Sequence, residues 1–167
     1  MPLLGRLLGR SRVPEAVAAL RLAPGELRSA WGLTPGGEPV VATDLGLHLP
    51  GASRLDWHDV EKATWARPVL TVVRVAEIAG TGERRAVRLE QEGSLPDAVR
   101  SAVTGSVGWS NHYRLRPRGG VRVVGRRRPG HDLLDWQLVY DVGTDPHDPL
   151  VRAQADELLL TARRTVG

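Results

Sequence analysis

The chain has no cysteine, no phenylalanine, one methionine and a single lysine, Lys62, among 167 residues. Without cysteine there can be no disulfide, thiolate zinc site, iron–sulfur cluster or cysteine nucleophile. Aromatic residues make up only 4% of the chain, and five of the seven are tryptophan. No apolar run approaches the roughly 18 residues that a membrane-spanning helix needs.

What is present is ordinary for a globular protein: 41% hydrophobic and 25% charged residues. The length suits one domain, or two small ones sharing an interface. Twenty-two of the 23 basic residues are arginine. With abundant Ala, Val, Leu, Gly and Pro, this reads as the codon bias of a GC-rich bacterial genome, so an arginine excess points less to nucleic acid than it otherwise would. The net charge of +4 is mild, and the expected location is the cytoplasm.

Residues 1–12 set Leu3, Leu4, Leu7 and Leu8 beside Arg6, Arg10 and Arg12. A secretory signal needs its charges first and an unbroken apolar stretch after them, and Arg6 interrupts this one. The tail reads as a basic, leucine-rich segment with two uses: its leucines dock on the domain, or its apolar face lies on an anionic membrane surface.

A first module is expected over 13–107. Val13-Pro14-Glu15 opens a short helix. The turn signal of Leu22-Ala23-Pro24-Gly25-Glu26 follows, and the apolar period then shifts to two. Strands are expected at about 26–33, 38–43, 46–50, 53–57, 69–78 and 84–91, with turns at Pro35-Gly36-Gly37, Asp44-Leu45-Gly46, Pro50-Gly51 and Gly80-Thr81-Gly82. Ser94-Leu95-Pro96-Asp97 has the form of a capping box. Leu95, Ala98, Val99, Ala102 and Val103 then form one apolar helical stripe, with Gly105 as its expected stop.

Strands of this number closed by one amphipathic helix resemble the pleckstrin-homology-like (PH-like) fold, in particular its bacterial and GRAM-type members. The residues that carry the likeness are Leu22–Glu26, Val41–Leu47 and Arg54-Leu55-Asp56-Trp57-His58-Asp59-Val60. The Trp-His-x-Val-x-x-Ala-x-Trp segment from Trp57 to Trp65 is also similar to an actinobacterial protein family. The resemblance spans about 20–107 and implies a seven-stranded scaffold, of which six strands are legible. Phosphoinositide-binding members gather cations at the first hairpin loop. Here that loop, Thr34-Pro35-Gly36-Gly37-Glu38, has none, so the likeness implies the scaffold without that site.

A second module is expected over 108–167, with strands at 108–116, 120–127 and 134–141. The N-cap pair Asp148-Pro149 then starts a helix striped by Val151, Ala155, Leu158, Leu159 and Ala162. Alternation puts Tyr113, Leu115, Val121, Val123, Trp136, Leu138 and Tyr140 on the face the helix would cover. His112, Arg114, Arg116, Arg122, Asp135, Gln137 and Asp141 fall on the other. Residues 114–128 hold seven arginines and no acid, whereas 131–148 hold five aspartates and no lysine or arginine. The two runs could pair across strands. Alternatively, Arg126, Arg127, Arg128 and the outward arginines could form a phosphate-facing patch, with Trp109, His112 and Tyr113 stacking on bases.

Catalytic signatures are missing. His58-Asp59-Val60-Glu61-Lys62 lacks the His-Glu-x-x-His spacing of a zinc helix, and no phosphate-binding glycine loop or nucleophile elbow occurs. Asp145-Pro146-His147-Asp148 would be a poor metal site, since Asp148 is needed as the cap. The expected protein is a mainly antiparallel α+β binding or scaffold protein that is not an enzyme and takes no cofactor or metal. Its expected partner is another protein, met through Trp65, His58, Arg114, Arg116, Arg122, Arg126, Arg127 and Arg128. Nucleic acid bound by 114–128 is one alternative, and membrane contact through residues 1–12 is another.

Overall fold

The computed structural model describes residues 12–166, so nearly all of the leucine-rich tail lies outside the described residues. The fold is α+β with mostly antiparallel strands, as the sequence implies. After the one-turn helix α1 (Glu15–Ala18), which buries Val17, the chain forms β1 (Arg28–Leu33), β2 (Pro39–Thr43), β3 (Gly46–His48) and β4 (Leu55–Asp56). These hydrogen-bond in sequence order as one sheet. A 3-10 turn at Trp57–Asp59 leads into β5 (Val60–Ala66), β6 (Val69–Arg74) and β7 (Arg84–Arg88), which make a second sheet. Helix α2 (Leu95–Ser106) follows.

One core joins these pieces. Val40, Ala42 and Leu47 of the first sheet meet Val60, Leu70 and Val72 of the second, and Leu95 and Val99 of α2 close over them. Short antiparallel strands with one apolar face each have no other way to keep that face dry.

The sequence reading missed β5. Its residues alternate between half-buried and exposed positions, but the strand contains Glu61, Lys62 and Thr64 and is introduced by a helical turn, so its period is masked. It is a seventh strand before α2. Two helix-boundary expectations also fail. The Ser94 side chain makes no capping bond, and its carbonyl instead accepts the Ala98 N–H at 3.0 Å. Gly105 does not stop α2, which runs one residue further to the buried Ser106 and passes directly into a strand.

The third sheet holds β8 (Val107–Arg114), β9 (Gly120–Arg127) and β10 (Leu134–Tyr140), with β9 in the middle. Helix α3 (Pro149–Val166) covers one face. Here the cap is as expected, since Asp148 Oδ1 accepts the Leu150 N–H at 2.8 Å and the Val151 N–H at 3.4 Å. Asp148→Ala is expected to cost about 1 kcal/mol. That should lower the midpoint of thermal unfolding by about 3 °C, read by circular dichroism.

Backbone pairing ties this sheet to the rest of the molecule. The segment after β6 runs beside the end of β10, with Ile78 and Tyr140 as a parallel bridge. The Tyr140 N–H donates to the Glu77 carbonyl at 2.7 Å and the Ala79 N–H donates to the Tyr140 carbonyl at 2.9 Å. The expected strand at 69–78 therefore ends at Arg74; Val75 still donates to the Asp59 carbonyl at 2.8 Å, and from Glu77 on the chain bonds to β10.

Beneath the first sheet lies a buried carboxylate. The Glu26 side chain is wholly inaccessible and takes the Thr43 hydroxyl at 2.6 Å, His48 Nε2 at 2.8 Å, the Ala23 N–H at 2.8 Å and Arg54 Nη1 at 3.1 Å. Burial alone would raise its pKa. The hydrogen bonds from Thr43, His48 and Ala23, together with the Arg54 charge, outweigh burial and hold it down at about 2.

Candidate functional site

Register in the third sheet decides what each side chain can meet. β10 pairs with β9 so that Trp136 lies opposite Gly125, Leu138 opposite Val123 and Tyr140 opposite Val121. β8 pairs with β9 so that Trp109 also lies opposite Gly125 and Tyr113 opposite Val121. Alternation then sends these residues to the α3 face. Leu115, Val121 and Tyr140 are buried there against Val151 and Ala155, with Tyr113, Leu138 and Leu158 around them. This is the face the sequence assigns to the helix.

Helix α3 packs on this face around Leu115, Val121 and Tyr140. Further along the same face Trp109 of β8 and Trp136 of β10, both half-buried, approach to 5.5 Å between ring centroids at 56°. Such tilted pairs are favourable contacts in their own right. Gly125 makes room for them: a Cβ there would stand 2.7 Å from Leu134 Cδ1 and 3.3 Å from Trp136 Cη2. Arg127 shares this face by register, is exposed, and donates from Nη1 to the Gly105 carbonyl at 3.4 Å.

The opposite face is not a free polar surface. Gln137 Nε2 donates to the His58 carbonyl at 3.3 Å, and Arg126 Nη1 donates to Ser106 Oγ at 3.0 Å. Both bonds reach from the third sheet to the first part of the chain. Between the sheets lies a cavity of about 370 Å³ bounded by Glu61, Lys62, Arg122, Val124, Arg126 and Asp141, among others.

The sequence-predicted site residues are scattered by this arrangement. His58 is buried at 8% exposure in the 3-10 turn, and its carbonyl accepts from Gln137 of the third sheet. Trp65 is half-buried and packs on the main core from β5. Arg114 and Arg116 are exposed near the β8–β9 turn, where the backbone of Arg116 exchanges two hydrogen bonds with the Gln154 side chain. Arg122 is exposed beside the inter-sheet cavity.

Arg126 is the clearest correction. The alternative reading of the sequence places it in a phosphate-facing patch with Arg127 and Arg128, yet it is only 5% exposed, because the face it occupies is covered by the rest of the protein. Arg128 is paired with Asp135 at 2.8 Å, and His112 with Asp141 at 2.8 Å. Part of the arginine and aspartate segregation is thus spent on cross-strand pairing. Arg126, Arg127 and Arg128 do not form one surface.

The tryptophan pair itself was missed. Trp109 and Trp136 are 27 residues apart in the chain, and only the common partner Gly125 brings them together. A glycine inside an otherwise apolar strand was the available signal.

The architecture is therefore that of two small sheets closed by α2 and bonded to a β-β-β-α unit. No family model, no curated protein and no solved structure matches this chain. Among the described residues, no helix is long and apolar enough to cross a membrane.

Proposed function

We propose that the chain is a binding protein without catalytic activity, built on a PH-like module over residues 13–107, and that it grips a protein partner at the Trp109–Trp136 pair of the third sheet. Seven strands followed by an amphipathic helix support the PH-like reading, since the strand missing from the sequence pattern is β5. The observation that carries the functional reading is the Trp109–Trp136 pair, two half-buried rings in contact on one face of the third sheet. Tryptophan and arginine dominate the energetics of protein interfaces, because a half-buried ring offers a large apolar area at little entropic cost. Arg127 on the same face and the net charge of +4 favour an apolar partner segment that carries acidic residues.

The test is affinity capture from the native cytosol with wild type and with the Trp109→Ala/Arg127→Ala double variant, at low salt and at about 0.5 M salt, where exposed charges are screened. The expected result is one protein partner retained by wild type at high salt and lost by the double variant, with the circular dichroism spectrum unchanged. Equal retention by the variant would overturn the proposed surface. Recovery of RNA or DNA that disappears with salt or nuclease would replace it with the nucleic-acid reading.

A further inference from the structure

We propose that the cavity between the second and third sheets is a binding site for a small organic anion, a carboxylate or phosphate group carried on a short apolar body. The site lies on the opposite face of the third sheet from the tryptophan pair, so it stands or falls independently of the partner surface.

The argument begins with Arg126. It is 5% exposed, and among the described residues no carboxylate comes within ion-pair distance of it. Its one hydrogen bond goes to the hydroxyl of Ser106, which in turn donates to the Val103 carbonyl at 2.7 Å. Its Nε has no partner. A guanidinium does not give up its proton under ordinary conditions. It therefore remains a buried cation with unmet donors, which is among the least stable arrangements a protein interior can hold. Glu61 and Asp59 lie near enough to favour the charge, but burial outweighs them and pushes the group below its usual pKa.

The remaining lining fits the same ligand. Lys62 and Arg122 are exposed at the cavity and make no ion pair among the described residues, so the walls carry three cations. The two acids of the lining are both engaged. Glu61 accepts the Gly80 N–H at 3.1 Å, and Asp141 is held by His112. Val107, Val124, Val139 and Ala79 supply an apolar wall. A volume of about 370 Å³ lies within the range of small-molecule sites. An anionic head reaching Arg126 would satisfy the orphaned donor and neutralise the buried charge, while Lys62 and Arg122 would attract it on approach.

The experiment measures thermal unfolding and calorimetric binding of the full chain with inorganic phosphate, acetate, butyrate and hexanoate, each against sodium chloride at equal ionic strength. The expected result is stabilisation by the anions beyond that of chloride. If the carboxylate series is the better class, each added methylene should tighten binding about fourfold while the apolar wall is being covered. If phosphate is the better class, it should surpass acetate. Arg126→Met should abolish the response while leaving the protein folded, since an apolar side chain of similar length removes the uncompensated charge. Should that variant fail to fold, Arg122→Ala and Lys62→Ala, both at exposed positions, should each weaken the response several-fold. No stabilisation beyond chloride by any probe, or an undiminished response in Arg126→Met or in both exposed variants, would overturn the site.

Discussion

Lowering the pH from about 5 to about 2 is expected to remove about 3 kcal/mol of folding stability through Glu26 alone. Its pKa in the folded chain is about 2, against an ordinary 4.5. A carboxyl group whose folded pKa is depressed stabilises the native state fully above the unfolded value. That contribution disappears as the pH falls toward the folded value. The window thus lies between about 4.5 and about 2. Within it, protons bind the unfolded chain first and pull the equilibrium toward it. In Glu26→Gln this contribution should vanish, flattening the dependence over that window. The variant should also lose about 1–3 kcal/mol near neutral pH, because the buried charge that receives Arg54 and His48 is gone. Glu26→Ala should cost more, about 3–5 kcal/mol, since it leaves those donors facing an empty space. Urea unfolding at stepped pH would measure both effects. An unchanged slope between pH 2 and 4.5 in Glu26→Gln would show that other groups govern the acid response.

Trp57→Ala is expected to be the most damaging single truncation in the first module, at about 3–5 kcal/mol. The indole is 4% exposed and lies in the main core. Its Nε1–H donates to the Thr43 carbonyl at 2.8 Å. Trp57→Phe should retain much of the packing and cost about 1–3 kcal/mol, mainly by leaving that carbonyl without its donor. Thr43 connects the two predictions, because its hydroxyl donates to Glu26 while its carbonyl receives Trp57. Combining Trp57→Phe with Glu26→Gln should therefore show non-additivity of about 0.5–3 kcal/mol, measured as a double-mutant cycle by chemical denaturation. Additivity within about 0.3 kcal/mol would mean that the buried carboxylate and the core are energetically separate.

Local pattern was enough to read much of this fold. The strand over Gly120–Arg127 and the start of α3 at Pro149 lie where the sequence puts them. Both are set by interactions within a few residues, namely β-branched alternation and a side-chain cap. The buried face of the third sheet was also legible, since Tyr113, Leu115, Val121, Leu138 and Tyr140 alternate without interruption. Failures occur where a neighbour distant in sequence supplies the missing half. β5 carries a polar edge that only β6 makes regular. The extended chain after Arg74 bonds to a strand some 60 residues away.

The candidate sites were less legible, for the same reason. Trp57 is a core residue whose N–H meets the Thr43 carbonyl, the arrangement that a large ring with one donor requires. The arginines of the 114–128 run cannot be sorted by composition, because identical residues have opposite fates: Arg126 is buried at the inter-sheet cavity, Arg127 is exposed, and Arg128 is paired to Asp135. Alternation fixes which face of a strand a side chain takes, but not what covers that face.

The sequence by itself determined the class of fold and the inner face of the last sheet, because turn chemistry, periodicity and caps act over short stretches of chain. Only the tertiary structure decided that the outer face of that sheet is also covered, that two tryptophans opposite Gly125 meet, and that the Nε of a buried arginine has no hydrogen-bond partner among the described residues. Each of those depends on surfaces brought together from distant parts of the chain, where burial changes the energy of a charge and the use of a ring without changing a single residue.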